Sequence, residues 1–267
     1  MPSAFQNFNE LAAILTKTIQ QELIDGVPKT IGILGLQGAG KSTLSTCLVE
    51  ALNNFPKQKP GLIASTVSLD DFYLPHKNLK LLETSFEFLE GRGIPGTHDI
   101  KAMDSFMEAH KNGLNTVKPV YDKKLNHGKG DRVGTVDHPA LPVLIFEGWF
   151  LGVEPEDLER SSSDMCNFVD KRLPEYKKTW DSVDLWVFLG VSIEHSRSWR
   201  KKAEKEHESD LGSVGAVDVD QFLSYMWSAV PPISLVETSN RLSKRHKKAV
   251  ISVSLNEDHS GNVTYLE

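Results

Sequence analysis

The stretch TIGILGLQGAGKST, Thr30 to Thr43, decides the fold of this chain. Thr30 to Leu34 is a short apolar run of the kind that forms a buried strand. Gly35, Gly40, Lys41 and Ser42 then satisfy the spacing G-x-x-x-x-G-K-[ST]. From about Lys41 to Leu52 the apolar positions recur with helical period. Glycines let the backbone turn tightly and aim several N–H groups at one anion. The helix that starts there adds its positive end. Lys41 can reach the outer phosphates of a triphosphate, and the Ser42 hydroxyl can ligate Mg²⁺. The loop residues Gly35, Gln37, Gly38, Ala39, Gly40, Lys41, Ser42 and Thr43 are therefore read as the binding site for ATP with Mg²⁺.

Working outward, residues 5–24 carry apolar side chains at three- and four-residue spacing, an amphipathic helix stopped by Gly26 and Pro28. Strands are expected at Leu62 to Leu69, Val143 to Phe146, Val183 to Leu189 and Val250 to Leu255, with Asn262 to Tyr265 pairing to the last. Helices are expected over 79–90, 99–110, 164–180, 193–207 and 217–227, and Pro231 with Pro232 break the chain after the last of these. Residues 112–142 read as irregular, and 208–215 as a loose Gly/Ser/Asp segment. Strands alternating with helices give an α/β fold: a P-loop NTPase of three layers, α/β/α, with a mostly parallel central sheet. The chain reads as one domain over 1–267, with an acceptor-binding insertion around 75–140 and a lid around 195–216.

The chemistry is expected at the carboxyl ends of the strands, where open α/β sheets bind ligands. Asp70 ends the second strand in SLDDFYLP. A carboxylate beside the γ-phosphate can accept the proton of an attacking hydroxyl, and Asp70 also counts as a candidate metal ligand. Asp71 is a candidate ligand for substrate or metal-bound water, or a cap for the next turn. Glu147, after four apolar residues in VLIFEGWF, needs a partner such as Mg²⁺-bound water, so Ser42 and Glu147 are the main candidate metal ligands. Arg197, Arg200, Lys201 and Lys202 lie on a charged helix, either a solvated face or a lid that neutralises the transferring phosphoryl group. Arg200 is the preferred lid residue. The basic octamer Arg241 to Lys248 reads as surface or as a wall of the nucleotide pocket. The base-reading N-K-x-D motif is absent and the third strand ends in F-E-G, which disfavours a GTPase switch.

Composition narrows the partners. The net charge of −6 supplies no global field for nucleic acid or an anionic membrane. No segment approaches a membrane span, and the N-terminus has no cationic lead before an apolar run, so a cytosolic location is expected. Cys47 and Cys166, the two cysteines, form no C-x-x-C pair and read as small buried hydrophobes. The sequence sets no oligomeric state.

Taken in order, GLQGAGKST, SLDDFY, GRGIPGTHD (Gly91 to Asp99), YDKKLNHGKGDR (Tyr121 to Arg132) and FEGWFLG (Phe146 to Gly152) resemble the plant-type D-glycerate 3-kinases and their fungal ATP-dependent kinase relatives. That group sits within the wider uridine kinase, phosphoribulokinase and pantothenate kinase superfamily. The resemblance covers roughly residues 5–255. It implies a phosphotransferase with a small-molecule acceptor, most simply D-glycerate, with Asp70 as the base and Glu147 as the Walker-B acid. It further implies that Asp71, Tyr73, Arg92, His98, Asp99, Tyr121, Asp122, Lys123 and Arg132 line the acceptor pocket. An anionic acceptor suits the Arg and Lys donors, and its hydroxyls suit His, Asp and Tyr. The alternatives are a kinase for a nucleoside or sugar derivative, and a non-catalytic ATP-binding protein.

Overall fold

Every residue of β5 (Val143–Gly148) is buried, and so are five of six in β6 (Leu185–Gly190) and six of seven in β1 (Lys29–Gly35). Strands this apolar on both faces need cover on both faces. The computed structural model, which describes residues 4–22, 29–54, 63–158, 162–211, 218–246 and 248–266, supplies it. The helices are α1 (Ala4–Glu22), α2 (Lys41–Asn53), α3 (His76–Ser85), α4 (Ile100–Lys111), α5 (Asp164–Arg172) and α6 (Lys177–Ser182). They are followed by α7 (Ile193–Leu211), α8 (Val219–Ala229) and α9 (Pro232–His246). The remaining strands are β2 (Ala64–Ser68), β3 (Thr116–Asp122), β4 (Asp131–His138), β7 (Val250–Leu255) and β8 (Gly261–Leu266).

The main sheet runs β2-β5-β1-β6-β7-β8, parallel throughout except for the antiparallel β8. Alternation along the strands divides the core in two. Ile31, Ile33, Val143, Ile145, Leu185 and Val187 face one side with Leu11 and Leu15 of α1 and Leu44 and Leu48 of α2. Leu144, Phe146, Trp186 and Phe188 face the other with Phe106 of α4, Val169 of α5, Trp180 of α6, Met226 of α8 and Leu242 of α9. This is the expected three-layer α/β/α arrangement. Among the described residues, no helix is long and apolar enough to cross a membrane.

Several local expectations are corrected. Residues 112–142 are not irregular: β3 and β4 form an antiparallel hairpin off the main sheet, turning through left-handed Asn126 and His127. Most of β4 is exposed, so it carries no apolar alternation to mark it as a strand. The expected 79–90 helix runs instead from His76 to Ser85. The expected 164–180 helix is interrupted by a 3-10 turn at Leu173–Tyr176, where Pro174 withholds an N–H. Pro231 and Pro232 do break the chain after α8, as expected, but Pro232 also opens a further helix, α9, where a missing N–H costs nothing. β2 ends at Ser68 and passes into a 3-10 turn over Leu69–Phe72. Gly26, Pro28, Leu62 and the 212–217 part of the loose segment lie outside the described residues, whereas 208–211 continue α7. Cys47 is buried and Cys166 only partly so. Among the described side chains of the basic octamer, Lys244 is exposed and Arg241 partly so, as expected of surface, but two of its arginines also serve the fold. Arg241 and Arg245, one turn apart on α9, both reach the buried Asp157 carboxylate, and Lys248 donates to the Val183 carbonyl.

Candidate active site

β1 delivers the phosphate loop to the centre of the sheet edge, between the ends of β5 and β6. Gly38 and Gly40 hold φ of 82° and 84°, in the left-handed region that only glycine adopts freely, and Gly40 caps α2. A Cβ at Gly38 would lie 2.7 Å from the Ser196 carbonyl. Helix α7 is thus laid directly on the loop. Two further bonds fix this contact: Ser196 Oγ donates to the Gln37 carbonyl at 2.6 Å, and Trp227 Nε1 of α8 donates to Gln37 Oε1 at 3.0 Å. The Gly38→Ala variant is expected to lose roughly 1–3 kcal/mol of stability and to weaken ATP binding by about tenfold. Thermal melting and calorimetric titration with ATP measure the two effects; wild-type values for both would remove the α7 contact from the account.

Within the loop, Lys41 Nζ donates to the Leu36 carbonyl at 2.9 Å. Burial pulls the Lys41 ammonium below its ordinary pKa, against the opposing charges of Glu147 and Asp70. Ser42 Oγ donates to Glu147 Oε1 at 3.0 Å. Burial pushes the Glu147 carboxyl upward, and Lys41 opposes that shift. A hydroxyl and a carboxylate side by side are the hard oxygen donors that Mg²⁺ takes from protein. The described residues contain no group of three or more His, Cys, Asp or Glu able to form a full cage. Ser42 and Glu147 would suit an ion that takes its other ligands from substrate phosphates and water.

Asp70 occupies the 3-10 turn that follows β2. Tyr73 Oη donates to its Oδ1 at 2.7 Å, and Lys123 Nζ to its Oδ2 at 2.5 Å. Burial alone would raise this carboxyl, but the Lys123 charge and the two hydrogen bonds overcome it and hold Asp70 well below the usual carboxylate range. Both oxygens of the Asp70 carboxylate are thus engaged by side chains, and its charge is felt at Lys41 and Glu147. Tyr73 stacks on His98 at 4.7 Å and meets Tyr121 edge-on at 5.3 Å. The Arg92 guanidinium lies 5.9 Å from the Tyr73 ring centre and 5.6 Å from that of Tyr121, and donates to the Gly128 carbonyl. The hairpin therefore brings Tyr121 and Lys123 to the end of β2.

Four expected pocket residues are engaged with the scaffold. Asp71 accepts from the Ser68 backbone and from Lys118, closing a capping box and tying the turn to β3. Asp99 caps α4 through the Ala102 N–H and pairs with Arg132 at 3.0 Å. Arg132 spends its second Nη on the Tyr73 carbonyl. Asp122 accepts from the Lys124 backbone in the hairpin turn. Arg200 pairs with Glu204 and packs over Phe222, yet its charge is felt at Lys41. Tyr176, Ser196 and Trp227 were not expected near the site. Tyr176 lies in a segment whose apolar pattern accounts for it as core, and Ser196 is a small polar residue on a charged helix, which carries no signal of its own.

Residues 30–173, more than half of the chain, match the phosphoribulokinase/uridine kinase family. The chain belongs to that family. Over 217 residues it is 34% identical to the chloroplastic D-glycerate 3-kinase of Arabidopsis thaliana, covering 75% of this chain and 46% of that protein. The match thus spans about half the length of the plant relative. A probable ATP-dependent kinase of Saccharomyces cerevisiae is 32% identical, covering 69% of this chain and 70% of the yeast protein. The structure of a D-glycerate 3-kinase from Cryptococcus neoformans superposes with a TM-score of 0.78 at 22% identity, over 96% of this chain and 99% of that one. This last likeness establishes a shared fold.

Proposed function

We propose that this chain is an ATP-dependent kinase that moves the γ-phosphate of Mg-ATP to a hydroxyl of a small anionic metabolite, D-glycerate. The observation that carries the proposal is the Asp70 carboxylate, kept ionised by Lys123 and Tyr73, in electrostatic contact with Lys41 and Glu147. In the step proposed, the acceptor hydroxyl gives its proton to Asp70 as its oxygen bonds the γ-phosphorus. The bond from that phosphorus to the bridging oxygen breaks and ADP leaves. A weakly basic carboxylate suffices, because the transition state is loose and the base mainly orients the nucleophile. Lys41 and Arg200 neutralise charge on the moving phosphoryl group. Ser42 and Glu147 would hold Mg²⁺, which would supply charge neutralisation of the phosphates.

The plant relative's name and the cations of the pocket support D-glycerate. Arg92 has five N–H donors in a planar fork suited to a carboxylate, and Lys123 adds a second charge. Residues 75–140 then act as the acceptor-binding arm and 195–216 as the lid of a single cytosolic kinase domain, with neither nucleic acid nor membrane as partner. ADP release with Mg-ATP, measured across D-glycerate, nucleosides and sugar derivatives, tests the reading. Stimulation by D-glycerate is expected. A response confined to another acceptor replaces the substrate, and silence across the panel with ATP still bound favours a binding protein. Arg92→Ala is expected to raise KM for D-glycerate by roughly 10- to 100-fold, the worth of a hydrogen bond between charged groups, with KM for ATP unchanged within about twofold.

A further inference from the structure

Tyr176 ends the 3-10 turn Leu173–Tyr176 and is wholly buried. Its oxygen receives the Gly96 N–H at 2.8 Å and lies 2.8 Å from His98 Nδ1. A phenol oxygen that already accepts from a backbone amide still has its own proton to place. The acceptor in contact with it is Nδ1. Nδ1 therefore accepts, and the proton of the neutral imidazole sits on Nε2. His98 is only 4% exposed, and burial lowers its pKa to about 3. Its Nε2 is sealed from solvent and has no hydrogen-bond partner among the described residues. The ring is sandwiched by its surroundings: stacked on Tyr73 at 4.7 Å, with Phe150 edge-on at 5.6 Å. Tyr73 in turn donates to Asp70. A buried donor without a partner, beside the carboxylate that receives the substrate proton, calls for a ligand oxygen.

We infer that Tyr176 is a positioning residue: it fixes His98 as the neutral Nε2–H tautomer, and that N–H donates to an oxygen of the acceptor next to the hydroxyl that Asp70 deprotonates. This rests on the kinase reading and deepens it, because it asks for an acceptor with two neighbouring oxygens. His98 gives a hydrogen bond and transfers no proton.

The tautomer can be read directly from long-range proton–nitrogen correlation spectra of the wild-type protein with labelled histidine, the His98 signals being identified by their loss in His98→Gln. Protonated Nε2 with bare Nδ1 is expected; protonated Nδ1 overturns the inference whether or not any variant folds. Steady-state kinetics test the use of the donor. Tyr176→Phe should raise KM for D-glycerate by about tenfold and leave KM for ATP within about twofold. His98→Gln, whose amide nitrogen reaches the Nε2 position, should stay within about fivefold of wild type in acceptor KM, whereas His98→Asn should lose as much as His98→Ala. Equal losses in Gln and Asn overturn the role of Nε2. Turnover with the Nδ1–H tautomer sinks this inference alone; no turnover with any acceptor sinks the kinase reading itself, whatever the tautomer.

Discussion

Replacing Asp70 by Asn is expected to lower kcat by roughly 10³-fold while leaving ATP affinity within about twofold, the loss typical of a general base. The amide keeps the shape and can still accept from Tyr73, but it cannot take a proton and it leaves Lys123 without a counter-charge. The fold stays intact, so a melting curve near wild type separates this effect from unfolding. The pH dependence of the wild type has a definite sign. Because the Asp70 carboxyl is held well below its unfolded value of about 3.9, it stays ionised above that pH, and kcat/KM shows no acid limb from this group between about pH 5 and 8. The same depression stabilises the fold above the unfolded pKa and is lost as pH falls through the folded one. An acid limb near neutrality that vanishes in Asp70→Asn would show that Lys123 does not hold the carboxylate as described.

The largest effect on stability is expected at Asp157, remote from the chemistry. Its side chain is fully buried. Arg245 donates to it at 2.8 and 3.1 Å, Arg241 at 3.2 Å and Thr238 at 3.0 Å, while its Oδ2 also caps the Glu154 N–H at 3.0 Å. Through these bonds α9 is fastened to the loop that follows β5, the strand that carries Glu147. Asp157→Ala leaves the half-buried Arg245 short of its main counter-charge, and breaking one side of such a pair costs about 3–5 kcal/mol. That corresponds to a melting temperature lower by about 10 °C in a chain of this size. Activity per folded molecule should be unchanged at low temperature. A melting temperature within about 2 °C of wild type would mean that α9 is held by its apolar face and not by this network.

The phosphate loop and the acceptor pocket differ in how far the sequence reveals them. The phosphate loop is legible because its chemistry is local: adjacent residues supply the glycines, the lysine and the hydroxyl. Asp70 and Glu147 are legible because a carboxylate at the end of an apolar strand has few places to go. Asp71, Asp99, Asp122 and Arg132 show the limit. A carboxylate in a turn can bind substrate or cap its own backbone, and only the direction of the side chain decides. Asp71 points back to Ser68 and Lys118, its neighbour Asp70 to Tyr73 and Lys123. The β3–β4 hairpin escaped because an exposed arm needs no apolar alternation. Helix α9 escaped because a proline pair marks a helix start as well as a stop. Tyr176 gave no signal, since its contact with His98 spans 78 residues of sequence and looks like any other core aromatic in its own segment.

The central claim is phosphoryl transfer to a hydroxyl with Asp70 as base. It is tested most directly by following label from ATP marked in its γ-phosphate, in a single turnover with D-glycerate, for the wild type and for Asp70→Asn. The label should leave ATP for a phosphoglycerate monoester in the wild type and stay in ATP in the variant. Label released as inorganic phosphate, or equal transfer by both proteins, would contradict it.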